Sequence, residues 1–222
     1  MATIGLIAMS AKPYHIGHDM MVRRASQECD EVHLYISTTD RKRAGDDVPI
    51  LGTDMMQLWK DTIEPSLPSN VKVVYGGSPV GNIWKDLGGA NEAASKDTYV
   101  IYADADDLAQ NFTENLLQKY SGNLFQAGQI KLAATERAFS GTKMRAFLAA
   151  GDKENFVKHL PAQIDRDKVW DVLSATAKNP PAVKTTAGPT RKPAAAKKPG
   201  PPAKKTRAEG MLRRYVRLLL GV

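Results

Sequence analysis

Along the first 177 positions, short and nearly continuous apolar runs alternate with segments of helical periodicity. Thr3–Met9 is such a run, the pattern of a strand buried on both faces of a parallel sheet. It ends in Ser10-Ala11-Lys12-Pro13. A helix is predicted from about Gly17, where Met20, Met21 and Ala25 share one face while Arg23, Arg24, Gln27 and Glu28 point outward. Val32–Ser37, Val71–Tyr75, Tyr99–Ala103 and Ile130–Ala134 read as further strands. Between them, Thr38–Leu51 is rich in charge, Gly and Pro and reads as a loop, and Thr53 is expected to cap a helix running through Met56, Leu58, Trp59 and Ile63 that Pro65 helps to end. Gly76-Gly77-Ser78-Pro79 reads as a strand-ending turn, Ile83–Ala94 as a helix weakened by Gly88-Gly89, and Phe112–Tyr120 as another helix. Three more are predicted at about Thr142–Ala150, Lys153–His159 and Asp165–Ala177.

Strands separated by helices predict an α/β domain over residues 1–177, a Rossmann-like doubly wound parallel sheet of about five strands. Such sheets bind ligands at the carboxyl ends of their strands, where strand order reverses. The segment just after Met9 is therefore the first place to look for chemistry.

The pattern then changes. Residues 178–208 intersperse Pro180, Pro181, Pro189, Pro193, Pro199, Pro201 and Pro202 with Ala, Lys, Thr and Gly, a composition that cannot bury a core and reads as a disordered, extended arm. In residues 209–222, Leu212, Tyr215, Val216 and Leu219 return to helical spacing flanked by Arg213, Arg214 and Arg217, which predicts a short basic amphipathic helix. Charge sharpens this division. The net charge is +7, but residues 178–222 hold twelve Lys or Arg and a single acid, Glu209, so the preceding domain is mildly acidic. The tail is thus the candidate docking element, for a protein partner or larger assembly and also for nucleic acid.

Composition excludes several classes. No apolar stretch approaches the roughly 20 residues of a spanning helix. The single cysteine, Cys29, provides neither an intrachain disulfide nor a cysteine-based zinc site. The first basic residue, Lys12, follows the apolar run instead of preceding it, unlike a secretory signal, so a cytoplasmic location is expected.

Two segments carry candidate chemistry. Ser10-Ala11-Lys12-Pro13-Tyr14-His15-Ile16-Gly17-His18 sits where the first strand gives way to a helix; two imidazoles flanking Gly17 can face one pocket, while Gly17 admits a phosphate close to the backbone. Ser140-Gly141-Thr142-Lys143-Met144-Arg145 can cap a late helix whose first N–H groups hold an anion, with Arg145 one turn on. Asp104, Asp106 and Asp107 gather three carboxylates past the fourth strand, suited to a metal, a ribose or helix capping. Arg41-Lys42-Arg43 reads either as a cluster that closes over a triphosphate or as a solvated loop, and His33 and His159 read as structural.

The paired motifs, over about residues 3–155, resemble the nucleotidyltransferase superfamily with the H-x-G-H signature, in particular archaeal-type nicotinamide-nucleotide adenylyltransferases and their phage relatives. Tyr35-Ile36-Ser37-Thr38-Thr39-Asp40-Arg41 is also similar to the second-strand region of that family. Ser10 and Ala11 stand where the family usually has Arg and Phe, with Lys12 as the candidate replacement cation. The resemblance implies transfer of a nucleoside monophosphate from a triphosphate, ATP before CTP, to a phosphate-bearing acceptor such as nicotinamide mononucleotide, with release of pyrophosphate. It implies catalytic roles for His15, His18 and Lys12, and nucleotide binding by Ser10, Tyr14, Gly17, Ser140, Gly141, Thr142 and Arg145. Mg²⁺ would accompany the triphosphate, with no residue assigned as its ligand. The alternative is a structural or assembly protein, for example a virion or nucleoprotein component, that retains this fold and docks through its tail; a phage-encoded chain would then reside in the host cytoplasm or the virion.

Overall fold

A computed structural model describes residues 1–41, 48–136 and 139–178. Five parallel strands, β1 (Thr3–Met9), β2 (Glu31–Ile36), β3 (Val71–Tyr75), β4 (Thr98–Asp104) and β5 (Ile130–Thr135), form one sheet in the order β3-β2-β1-β4-β5. The order reverses at β1, which lies between β2 and β4, as in a doubly wound α/β fold. Alternate residues of the central strands feed two cores. Ile7 and Met9 of β1 pack with α1 (Ile16–Glu28), α2 (Gly52–Leu58), α6 (Gly141–Ala150), α7 (Lys153–Lys158) and α8 (Arg166–Lys178). Leu6 packs on the opposite face with α3 (Pro79–Glu92), α4 (Ala105–Asn111) and α5 (Glu114–Gln126). Two covered faces explain why the central strands lack a polar alternation.

The structure revises several elements read from sequence. The second helix begins at Gly52 and not at a Thr53 cap; the preceding Leu51 offers no side-chain cap, and Asp40 instead accepts the Gly52 N–H at 2.9 Å. After Leu58 the chain passes through a π turn at Trp59–Ile63 and a 3-10 turn at Glu64–Ser66. α3 starts four residues earlier than expected, because Ser78 caps it and Pro79 occupies the first turn, where a missing N–H does no harm. The Phe112–Tyr120 segment is divided: Phe112 closes α4, and Thr113 caps α5 by accepting from Leu116. Among the described residues no helix is long and apolar enough to cross a membrane. Beyond Lys178, the expectations for the Pro-rich arm and the terminal amphipathic helix lie outside the described residues.

Candidate functional site

At the carboxyl ends of β1, β4 and β5 a cleft of about 660 Å³ opens beside the switch point. One wall is the turn from β1 into α1. Ala11 is buried there with φ of 47°, a left-handed conformation that costs a non-glycine residue energy and is most often kept at functional turns. Ser10 is exposed at the floor, and both residues line the cleft.

Lys12 also lines it but is only 4% exposed. Its Nζ donates to the Ser37 carbonyl at 2.6 Å and to the Ser10 carbonyl at 3.4 Å, so the ammonium bridges the ends of β1 and β2. Burial pulls its pKa down to about 8; the Asp40 carboxylate opposes that shift and the Arg41 cation adds to it. The native chain therefore releases this proton near pH 8, whereas the unfolded chain holds it until about 10.5. Between those values the unfolded state binds more protons, so the Lys12 contribution to stability rises with pH. Denaturant titrations from pH 7 to 10 are expected to show this rise in the difference between wild type and Lys12→Met, and a pH-independent difference would refute it.

His15 caps α1 from an extended backbone (φ −149°), its Nδ1 accepting the Gly17 N–H at 3.2 Å. An accepting Nδ1 places the proton of the neutral ring on Nε2. The His15 and His18 rings stack at 3.8 Å and 16°, and both line the cleft. Space at Gly17 is tight: a Cβ would meet the His15 ring at 3.2 Å, so that ring would have to give by a few tenths of an ångström, and would reach ordinary contact with the Phe139 backbone N at 3.4 Å. The Ile16 N–H donates to the His159 carbonyl at 2.9 Å. The His18 N–H donates to the His15 carbonyl at 2.9 Å, so three of the first N–H groups of α1 already have protein partners, and less of this helix start is left to meet an anion than the sequence suggests.

The opposite wall comes from Phe139 and the start of α6. Ser140 caps the helix, accepting from the Lys143 N–H at 3.3 Å. Thr142 Oγ1 accepts from Arg145 Nη2 at 3.1 Å, and Arg145 Nη1 donates to the Lys12 carbonyl at 3.1 Å. Arg145, 5% exposed, therefore fastens α6 to the β1 turn while lining the cleft with Gly141 and Thr142. A Cβ at Gly141 would lie 3.4 Å from both Arg145 Nη1 and the Lys12 carbonyl oxygen, an ordinary contact distance.

Carboxylates form the remaining rim. Asp104 caps α4 by accepting the Asp107 N–H at 2.9 Å; both residues and Glu136 line the cleft, whereas Asp106 does not. Arg41 also lines the cleft, its backbone held by reciprocal hydrogen bonds with Ile50. Among the described residues no group of three or more His, Cys, Asp or Glu is placed to hold a metal ion. The geometry thus unites Ser10, Lys12, His15, Gly17, His18, Ser140, Gly141, Thr142 and Arg145. Tyr14 does not line the cleft: it lies 1% exposed beneath it.

Residues 4–58 match the citrate lyase ligase C-terminal domain family. This segment carries β1, α1, β2 and α2, and so includes one of the two walls. No curated protein matches the sequence at a significant level. Among solved structures, the chain is similar to Thermotoga maritima TmcAL bound with alpha-thio ATP, at 11% identity over 80% of this chain and 56% of that one, with a TM-score of 0.45. It is also similar to a bifunctional NMN adenylyltransferase/ADP-ribose pyrophosphatase from Francisella tularensis complexed with AMP and a manganese ion, at 12% identity over 80% of this chain and 53% of that one, with a TM-score of 0.48. The chain spans little more than half the length of either.

Sequence reading missed Phe139, which lines the cleft, whereas His159, read as structural, lies outside the lining and closes α7. Their rings stack at 4.1 Å and 18°, and Phe139 also meets His15 edge-on at 5.8 Å. Neither falls within a motif; Phe139 precedes α6 and His159 closes α7, so their meeting depends on the packing of α6 against α7.

Proposed function

We propose that the cleft is the active centre of a nucleotidyltransferase, which moves a nucleoside monophosphate from a triphosphate to a phosphate-bearing acceptor and releases pyrophosphate. The observation that supports this most is the convergence of stacked His15 and His18, buried Lys12 and Arg145, and the start of α6 on one cleft at the switch point. Four nitrogen-bearing side chains around one cavity suit a ligand of high negative charge. The reaction is in-line: an acceptor phosphate oxygen bonds to the α-phosphorus as the α–β bridging bond breaks, and its electrons leave on pyrophosphate. Negative charge shifts toward the leaving and equatorial oxygens, where fixed donors stabilise it. Histidines 15 and 18 serve there; Lys12, Thr142 and Arg145 hold the triphosphate, which arrives as its Mg²⁺ complex. The Asp104 and Asp107 carboxylates, on the far rim, suit ribose hydroxyls. ATP as donor and nicotinamide mononucleotide as acceptor follow from the resemblance of the two motifs.

The test is pyrophosphate release from a panel of four nucleoside triphosphates with phosphate-bearing acceptors, nicotinamide mononucleotide among them. Release is expected only when donor and acceptor are both present, and fastest with ATP; no release from any pair would overturn the reading. Arg145→Ala is expected to weaken triphosphate binding by roughly 10–100-fold, the worth of a hydrogen bond to a charged group at about 1.5–3 kcal/mol. Acceptor affinity should change far less. Calorimetric titration with each ligand checks this, and equal losses for both would reduce Arg145 to a structural tie.

A further inference from the structure

Beneath the histidine pair lies a polar assembly none of whose members lines the cleft. Tyr14 donates its hydroxyl to Asp19 Oδ1 at 3.2 Å, and Asp19 accepts Arg23 Nε on its other oxygen at 2.7 Å. Arg23 Nη2 in turn donates to the Ser66 carbonyl at 3.3 Å. Tyr14 is 1% exposed and Asp19 5%, so a hydroxyl and a carboxylate have been taken out of water inside an otherwise apolar core. Such burial is unfavourable unless the groups are well paired, and phenylalanine would fill the same space without it.

Position suggests what the arrangement is for. The Tyr14 ring lies parallel to His18, with centroids 5.7 Å apart and planes 20° apart, and His18 is stacked on His15. On its other side Tyr14 meets Trp59 at 4.9 Å and 67°. Trp59 is fully buried and opens the π turn, a helix irregularity frequently found at functional sites. A tyrosine ring packed between two neighbours can still slide or tilt; a hydroxyl held by a carboxylate, itself held by a guanidinium tied to the backbone at Ser66, fixes it at the far end as well. Burial and the adjacent Asp19 keep the Tyr14 hydroxyl protonated, and therefore a donor, well above the usual phenol range.

We propose that Tyr14, Asp19 and Arg23, backed by Trp59, are positioning residues that set the plane of the His18 ring for the reaction in the cleft. This rests on the function proposed above. None of the four lines the cleft, so each acts through His18. Small errors in the placement of a reacting group can cost as much as 10²-fold in rate, which makes such a brace worth its buried charge.

The experiment compares wild type with Tyr14→Phe and Asp19→Asn in three measurements: steady-state pyrophosphate release, thermal unfolding, and the NMR ring resonances of the four histidines. Tyr14→Phe keeps the ring and the packing, and so keeps the test open should Asp19→Asn fail to fold. In Tyr14→Phe, kcat is expected to fall about tenfold while KM for the triphosphate changes less than twofold. His18 resonances should move while those of His33 do not. The double variant should be no slower than the worse single one, as expected of residues acting in one chain. Unchanged kcat with unmoved His18 resonances would overturn the proposal, as would a Tyr14→Phe variant whose kcat, KM and melting temperature all deteriorate together. Should wild type itself release no pyrophosphate, the proposed function fails, and the His18 resonances alone then decide whether the brace exists.

Discussion

Replacing His18 by alanine is expected to slow nucleotidyl transfer by about 10²–10³-fold, the loss typical of deleting one preorganised donor to charge that develops in a transition state. His18 is half-buried on the cleft wall, with His15 stacked on its ring. Removing it takes away no helix cap, because that task belongs to His15, whose Nδ1 holds the Gly17 N–H. For the same reason His15 is the less clean residue to test, since its loss would confound chemistry with a weakened α1. Pyrophosphate release at saturating substrate, set beside the thermal midpoint, checks the prediction. Wild-type turnover from a folded His18→Ala variant would remove this residue from the chemistry.

Gly52→Ala should cost more stability than a methyl added at Gly17 or Gly141. A Cβ at Gly52 would lie 1.8 Å from the Thr38 carbonyl oxygen and 2.7 Å from its carbon, and both are main-chain atoms that cannot rotate aside. Overpacking typically costs about 1–3 kcal/mol, and a clash with backbone belongs at the upper end. At roughly 2–4 °C per kcal/mol for a domain of this size, the melting temperature should fall by about 6–12 °C. The damage would also reach the cleft. Gly52 donates to Asp40, and the neighbouring Arg41 lines the cleft wall, so displacing Thr38–Arg41 moves a cation away from the site. Thermal unfolding and triphosphate titration of the variant should therefore deteriorate together. An unchanged midpoint would show that the loop relaxes without strain.

Much of this architecture is readable in one dimension because the determinants are local. The apolar run of β1 and the periodicity of α1 identify those elements, and a strand that passes into a helix through Lys12–His18 marks the cleft. Ser140 announces α6 by being a capping residue followed by a helical pattern. Other features are set by contacts between distant segments. Gly52 starts its helix because Asp40 reaches it across a loop, so Thr53, the better capping residue by type, stands one position inside. Nothing in the local pattern separates Tyr14 from the cleft-facing residues around it. Only the packing of α1 and the Trp59 turn onto the sheet shows that it lies underneath. Of the readings open to the Asp cluster after β4, helix capping holds for Asp104, while the extent of the short α4 stays illegible because Asp106 and Asp107 give its first turn a polar, loop-like composition.

The fastening of Arg145 to the Lys12 carbonyl joins positions 133 apart in the chain, and α1 takes the carbonyl of His159 at its first turn from still farther along. At translation speeds of about 5–20 residues per second, the histidine-bearing turn leaves the ribosome on the order of ten seconds before its second wall has been synthesised. A nascent chain in that interval carries both imidazoles but cannot enclose a polyanion. On the proposed function, ligand retention would begin only when α6 and α7 dock, and since a ligand stabilises only the state that binds it, nucleotide in the surroundings would favour finished molecules over growing ones.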